Sequence, residues 1–307
     1  IAIANTLKNK IKEVDILFVG AKGKMEMKKV PEAGYPIEGL WISGLQRRWT
    51  FKNFLVPFKM INSLLKANRI INQFKPDVVV GVGGYASWAV VKVASIKKIP
   101  TLIQEQNSFP GKSNINLSKK VNKICVAFEG MDKYFPSSKI VVTGNPVRKN
   151  VIYIENKREE ALRFFGLNSD KKIILAVGGS LGARTINQSV NKYLQLIIHE
   201  QSQLIWQTGK AYYQTAIDEV SKFPNSKLNV FEFINAMDYA YAAADIIISR
   251  AGAISVSELC MIGKPVILVP SPNVAEDHQT KNAQSLVMAN AAILVKDSDC
   301  LNVLGRM

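Results

Sequence analysis

A single carboxylate, Glu258, stands about one helical turn beyond a glycine. The chain runs from the apolar stretch Asp245-Ile246-Ile247-Ile248 through Ser249-Arg250 and the small step Ala251-Gly252-Ala253 into a helical segment. A helix entered through glycine offers its first N–H groups, and the positive end of its dipole, to a phosphate. An acid one turn further on can accept hydrogen bonds from both hydroxyls of an attached ribose. The pattern therefore suits a nucleoside diphosphate. Steric packing of strand against helix also selects glycine, and on periodicity a solvent-facing Glu258 fits as well.

Two more apolar runs end in glycine turns. "VVVGVGGYASWAVV" places Gly83 and Gly84 before Tyr85, and "IILAVGGSLGARTINQ" places Gly178, Gly179 and Gly182 around Ser180. Neither ends in the GK[ST] of a P-loop, and neither has GxGxxG spacing with an acid about 20 residues on, so ATPase and dinucleotide readings lose ground. The two histidines, His199 and His278, argue against a histidine-built metal site. Cys125, Cys260 and Cys300 are odd in number and far apart, which suits a reducing compartment rather than a disulfide framework.

The elements that must position these turns follow one rhythm. "VDILFVG", "PDVVVGVGG", "PTLIQEQ", "KICVAF" and "KIVVTG" alternate with helix-length segments, and so do "KKIILAVGG", "SQLIWQTG", "KLNVFEF", "ADIIISRAG", "KPVILVPSP" and "AAILVKD". Short β-rich runs of this kind predict parallel sheets covered on both faces. The length of 307 residues suits two domains. The break falls at "GNPVRKN", where a proline interrupts the chain and the charge balance changes. The expectation is an α/β protein of two doubly wound, Rossmann-like domains, residues 1–148 and 149–307, facing across a cleft. Ligands would bind at the carboxyl ends of the strands.

Charge divides the same way. Residues 1–150 carry 25 Lys+Arg against 9 Asp+Glu, whereas residues 151–307 carry 15 of each. A half so basic attracts a polyanion: an anionic membrane face, a phosphorylated substrate or nucleic acid. No nucleic-acid recognition motif is present, and no run reaches the roughly 18 apolar residues of a membrane span. From Gly39 to Pro76 there is no acid, and Arg47, Arg48, Lys52 and Lys59 interleave with Trp49, Phe51, Phe54, Leu55 and Phe58. Cations beside aromatics suit a surface resting on anionic lipid. Ile61, Leu64 and Ile71 read as the inner stripe of the amphipathic helix that follows.

The string "RAGAISVSELCMIGKPVILVPSPNVAEDHQTKNA" resembles the donor-binding signature of the GT-B glycosyltransferases. Together with "GGYASW", "QEQNSFPGKSN", "TGNPVR" and "GGSLGARTIN", in that order, it is similar to the bacterial N-acetylglucosaminyltransferases that convert lipid I to lipid II. The match spans nearly the whole chain. The resemblance implies a GT-B fold, with an acceptor and membrane-facing first domain and a donor-binding second domain. The implied donor is UDP-N-acetylglucosamine (UDP-GlcNAc), a substrate rather than a cofactor. The implied acceptor is undecaprenyl-diphosphate-MurNAc-pentapeptide (lipid I), attacking through its C4 hydroxyl with inversion and without metal. It also implies a peripheral place on the cytoplasmic face of the bacterial inner membrane, among other cell-wall synthesis proteins.

The family's contacts carry over onto matching positions. Asn107 meets the donor from the first domain, Arg148 lies at the hinge and Ser180 holds phosphate. Ile234 packs by uracil, Ala253, Ile254, Ser255, Val256, Ser257 and Glu258 wrap phosphates and ribose, and Gln279 reaches the sugar. Gly83, Gly84, Tyr85 and Glu105 line the acceptor side, and Glu105 and Tyr85 are the candidate catalytic groups. The family's opening GGTGGH-like loop, with its histidine, has no counterpart before Ile1, and Gln104 stands where many relatives have histidine. Nor does the family's last helix have a counterpart after "DCLNVLGRM". The expectation is a chain lacking about 15–20 residues at the front, which would complete the first βα unit, and a few tens at the back. A glycolipid-forming transferase of the same fold, and a fragment that binds nucleotide sugar or lipid without chemistry, are the alternatives.

Overall fold

The computed structural model describes residues 1–43, 56–147, 151, 153–274 and 277–306. It divides into two compact units, Ile1–Pro146 and Val147–Met307. In the first unit, β1 (Phe18–Ala21) pairs with β2 (Ile37–Leu40). A second sheet orders β3 (Val79–Gly81), β4 (Thr101–Glu105), β5 (Lys123–Val126) and β6 (Ile140–Val142) side by side, and every pairing is parallel. The helices Val56–Phe74 and Gly84–Ile96 contribute Ala67, Ile70, Ile71, Ala89, Val91 and Val93 to a core shared with Ile103, Ile124 and Val126 of the strands.

Burial corrects the expected inner stripe of Val56–Phe74. Ile71 is buried and Leu64 packs partly against the core, but Ile61 is 58% exposed. The buried line instead runs through Val56, Ser63, Ala67, Ile70 and Ile71. The small residues Ser63 and Ala67 let the helix approach its neighbours closely, which turns Ile61 to the open side.

The second unit holds a six-stranded parallel sheet among the described residues. Its strands are β7 (Ile173–Val177), β8 (Gln203–Gln207), β9 (Leu228–Phe231), β10 (Ile246–Ser249), β11 (Val266–Leu268) and β12 (Ile293–Leu294), in the order β12-β11-β10-β7-β8-β9. All residues of β8 and β11 are buried, as expected of strands covered on both faces. The chain leaves β7 in one direction for β8 and β9, then returns to its other side for β10 to β12. Strand order therefore reverses between β7 and β10, the place where such sheets bind ligands beyond their carboxyl ends. The expected pair of Rossmann-like α/β units is thus present.

Candidate active site

The carboxyl ends of β7 and β10 carry two of the glycine turns. β10 ends at Ser249, and Gly252, in extended conformation, caps the helix Ala253–Ile262. Asn282, fully buried, donates to the Ala251 carbonyl at 3.3 Å and holds the turn from the helix His278–Met288. Glu258 is 3% exposed, which excludes the solvent-facing reading. Its Oε2 accepts from the Tyr241 hydroxyl at 3.4 Å.

The other residues assigned to this helix differ in exposure. The Val256 side chain is 1% exposed and packs inside the unit, which counts against its wrapping a ligand. The Ser257 hydroxyl donates to the Ala253 carbonyl at 3.0 Å, inside its own helix. Ala253 and Ser255 are half-buried and Ile254 is exposed at the helix start.

Ser180 is exposed at the tip of the turn between β7 and the helix Arg184–Lys192. This turn packs tightly on the one after β8: a Cβ on Gly182 would lie 1.9 Å from the Thr208 carbonyl oxygen. The Gln207 amide bridges two predicted regions. Its Nε2 donates to the Gly179 carbonyl at 2.9 Å, and its Oε1 accepts the backbone N–H of Ile234 at 2.8 Å. Ile234 is buried, so its side chain forms a floor and its N–H is already used. Gln279 accepts the Ser271 N–H at 2.9 Å beyond β11.

Arg250, unassigned from sequence, ties these strand ends together. Its guanidinium donates to the carbonyls of Val269 (3.0 Å) and Pro270 (3.1 Å) and pairs with Asp297, whose other oxygen accepts from Thr185 at 2.9 Å. Gln207 and Arg250 share one sequence signal: each is a polar residue closing an apolar strand run, whereas Asn282, inside a polar helical stretch, carries no such signal.

In the first unit, Gly83 and Gly84 follow β3 with φ of +92° and +81°, a path open to glycine, and Tyr85 is half-exposed beyond them. The Gln106 amide donates to the Val82 carbonyl at 3.1 Å, and Asn145 donates to the Gln106 carbonyl at 3.0 Å. Gln104 donates to Asn145 Oδ1 at 2.9 Å. An amide network therefore joins the ends of β3, β4 and β6. Glu105 is buried at the centre of the loop carrying Asn107, and N–H donors engage both its oxygens. That geometry counts against its candidacy as a catalytic group.

Of the residues expected to face lipid, Phe58 is 68% exposed, and Lys59 donates to Ser43 at 3.0 Å while lying 5.4 Å from the centre of the Trp41 ring. Ile61 and Leu65, at helical spacing from Phe58, are also exposed. Arg47, Arg48, Trp49, Phe51, Lys52, Phe54, Leu55 and Arg148 lie outside the described residues. No helix among the described residues is long and apolar enough to cross a membrane.

The chain matches two family models. The Glycosyltransferase family 28 N-terminal domain covers residues 1–126, and the C-terminal domain covers residues 173–304. A protein of Flavobacterium psychrophilum named UDP-N-acetylglucosamine--N-acetylmuramyl-(pentapeptide) pyrophosphoryl-undecaprenol N-acetylglucosamine transferase is 56% identical over 298 residues, 97% of this chain and 80% of that protein. A protein of the same name from Bacteroides fragilis is 54% identical over 99% of this chain and 80% of its own. The crystal structure of Acinetobacter baumannii MurG superposes with a TM-score of 0.78 at 29% identity, covering 99% of this chain and 84% of that one. A Neisseria meningitidis UDP-GlcNAc 2-epimerase superposes with a TM-score of 0.65 at 16% identity over 99% of this chain and 86% of its own, a likeness of fold alone. The chain belongs to glycosyltransferase family 28, and within that family to the MurG transferases.

Proposed function

We propose that this protein transfers N-acetylglucosamine from UDP-GlcNAc to the C4 hydroxyl of MurNAc in lipid I, forming lipid II for peptidoglycan. The observation that carries this reading is the switch point of the second-unit sheet. There the turns after β7 and β10 lie on paired strand ends, and the helix that Gly252 caps carries the buried carboxylate Glu258, in a chain 56% identical to a transferase of that name.

The chemistry follows from charge. Attack by the acceptor hydroxyl on the anomeric carbon breaks the bond to UDP, and negative charge grows on the leaving diphosphate. The N–H groups and dipoles at the starts of the helices Ala253–Ile262 and Arg184–Lys192 are fixed donors for that charge. Glu258 is assigned to the ribose, Ser180 to phosphate, Gln279 to the sugar and the surroundings of Ile234 to uracil. Attack from the face opposite UDP gives inversion. The acceptor is assigned to the first unit, around Gly83, Gly84 and Tyr85, and Asn107 of the same unit is assigned to the donor.

Lipid I is anchored in a bilayer, so the protein has to reach the membrane surface. Phe58, Ile61 and Leu65 form an exposed apolar line, beside lysines and in the half that carries the net positive charge. These features support peripheral docking on an anionic inner-membrane surface. Incubation with UDP-GlcNAc and lipid I in detergent, with chromatography of the lipid products, tests the reading. Lipid II and UDP are expected in equal amounts. Turnover with a diacylglycerol acceptor and none with lipid I would replace it by a glycolipid transferase.

A further inference from the structure

Glu105 closes β4 with both carboxylate oxygens occupied. Oε1 accepts the backbone N–H of Asn107 at 3.1 Å and its side-chain amide at 3.3 Å. Oε2 accepts the Gly111 N–H at 3.1 Å and the Asn114 amide at 2.8 Å. The residue is 2% exposed. The donors come from both ends of the 106–111 turn and from the helix Lys112–Ser118, which Gly111 caps. Through Gln106 the same turn is tied to Val82, next to Gly83, and to Asn145.

A general base needs a lone pair directed at the proton it removes. An ionised carboxylate has about four such directions, and here four N–H donors take them. We propose that Glu105 is a positioning residue and not the base: its carboxylate clamps the 106–111 turn, which presents the acceptor-side surface beside Gly83 and Gly84. Asn114 is the second half of the clamp. Its amide donates to Glu105 and, at 3.3 Å, to the Gln104 carbonyl, while its buried Oδ1 has no protein partner among the described residues. Replacing Asn114 by leucine therefore removes the clamp contacts without breaking a bond to Oδ1.

The kinetic consequence rests on the transferase reading, whereas the clamp itself rests on geometry. Both are tested on the full chain with Glu105→Gln, Glu105→Asp and Asn114→Leu. Hydrogen exchange should be at least tenfold faster in Glu105→Gln for the amides of Asn107 and Gly111, as expected for losing charge-assisted hydrogen bonds, with strand amides of the second unit unchanged. In turnover, KM for lipid I should rise about tenfold or more and kcat should fall by a smaller factor. The acid limb of the kcat–pH profile should persist, Glu105→Asp should restore part of the loss, and Asn114→Leu should show the same split. Unchanged exchange at Asn107 and Gly111 overturns the clamp. A fall in kcat of about 1,000-fold, with KM unchanged and the acid limb gone, identifies Glu105 as the base instead. If the unmodified chain does not turn over lipid I, the transferase reading fails, and the exchange measurement still decides the clamp.

Discussion

Glu258 brings a carboxylate into the core of the second unit, where a buried charge needs hydrogen bonds to be tolerated. Tyr241 supplies one, and ribose hydroxyls would supply more when donor binds. Each hydrogen bond to a charged group is worth about 1.5–3 kcal/mol. Glu258→Ala should therefore raise the Kd for UDP-GlcNAc at least about tenfold by calorimetry, and unchanged affinity would remove Glu258 from the donor site. Lys264 makes a different residue-scale prediction. Burial, reinforced by the positive charge of Arg158 and opposed by Asp245, pulls its amine down from 10.5 to about 8. The amine donates to the carbonyls of Ala242 (2.8 Å) and Ala244 (2.6 Å). Between pH 8 and 10.5 the unfolded chain still holds the proton that the folded chain has released, so this residue's contribution to stability rises with pH over that window. Urea unfolding should show the stability of wild type relative to Lys264→Met increasing from pH 8 to 10. A difference that does not move with pH would contradict this.

At the scale of elements, the proposed donor site is made of turns rather than of helices or strands themselves. The turns after β7 and β8 are locked together: Gly182 faces the Thr208 carbonyl, and Gly209 faces that of Leu181. Gly182 has φ of +77°, so a side chain there is strained as well as obstructed. Gly182→Ala should cost about 2–5 kcal/mol, combining the positive-φ penalty with overpacking against backbone. Gly179 also has positive φ, +85°, but a Cβ placed there would meet no atom within 4 Å. Gly179→Ala should cost only about 1–2 kcal/mol. Urea midpoints of the two variants provide the comparison, and equal losses would show that the locked turns do not set the stability of this edge.

At the scale of the molecule, charge and apolar exposure coincide on the first unit. Each Lys or Arg near an anionic surface contributes on the order of 1 kcal/mol, fading within a Debye length. Neutralising Arg47, Arg48, Lys52 and Lys59 together should strongly reduce co-sedimentation with anionic vesicles at low salt. Replacing Phe58, Ile61 and Leu65 by serine should lower the part of the binding that survives high salt. These side chains are exposed, so stability should change little. Donor affinity, assigned to the second unit, should be unaffected by either set. Loss of vesicle binding in step with loss of donor affinity would mean damage to the fold, and wild-type sedimentation of both variants would place the lipid contact elsewhere.

The alternation of strand-like runs and helical segments was enough to predict two parallel α/β units, because buried parallel strands must be continuously apolar and punctuated by glycine. The glycine turns at Gly83, Gly178 and Gly252 were legible for the same reason, and the order of motifs such as "GGSLGARTIN" and "RAGAISVSEL" pointed to the family. Tertiary structure alone decided which side chains are available. Periodicity could not tell that Glu258 and Val256 are buried or that Ile61 faces outward, because each depends on which neighbour packs against the helix. Nor could it find the partners of Arg250 and Gln207. Arg250 and Asp297 are 47 residues apart, and Gln207 reaches a backbone group 27 residues away. Such hydrogen bonds form only after the strands take the order β12-β11-β10-β7-β8-β9, which sets sequence-distant strand ends side by side.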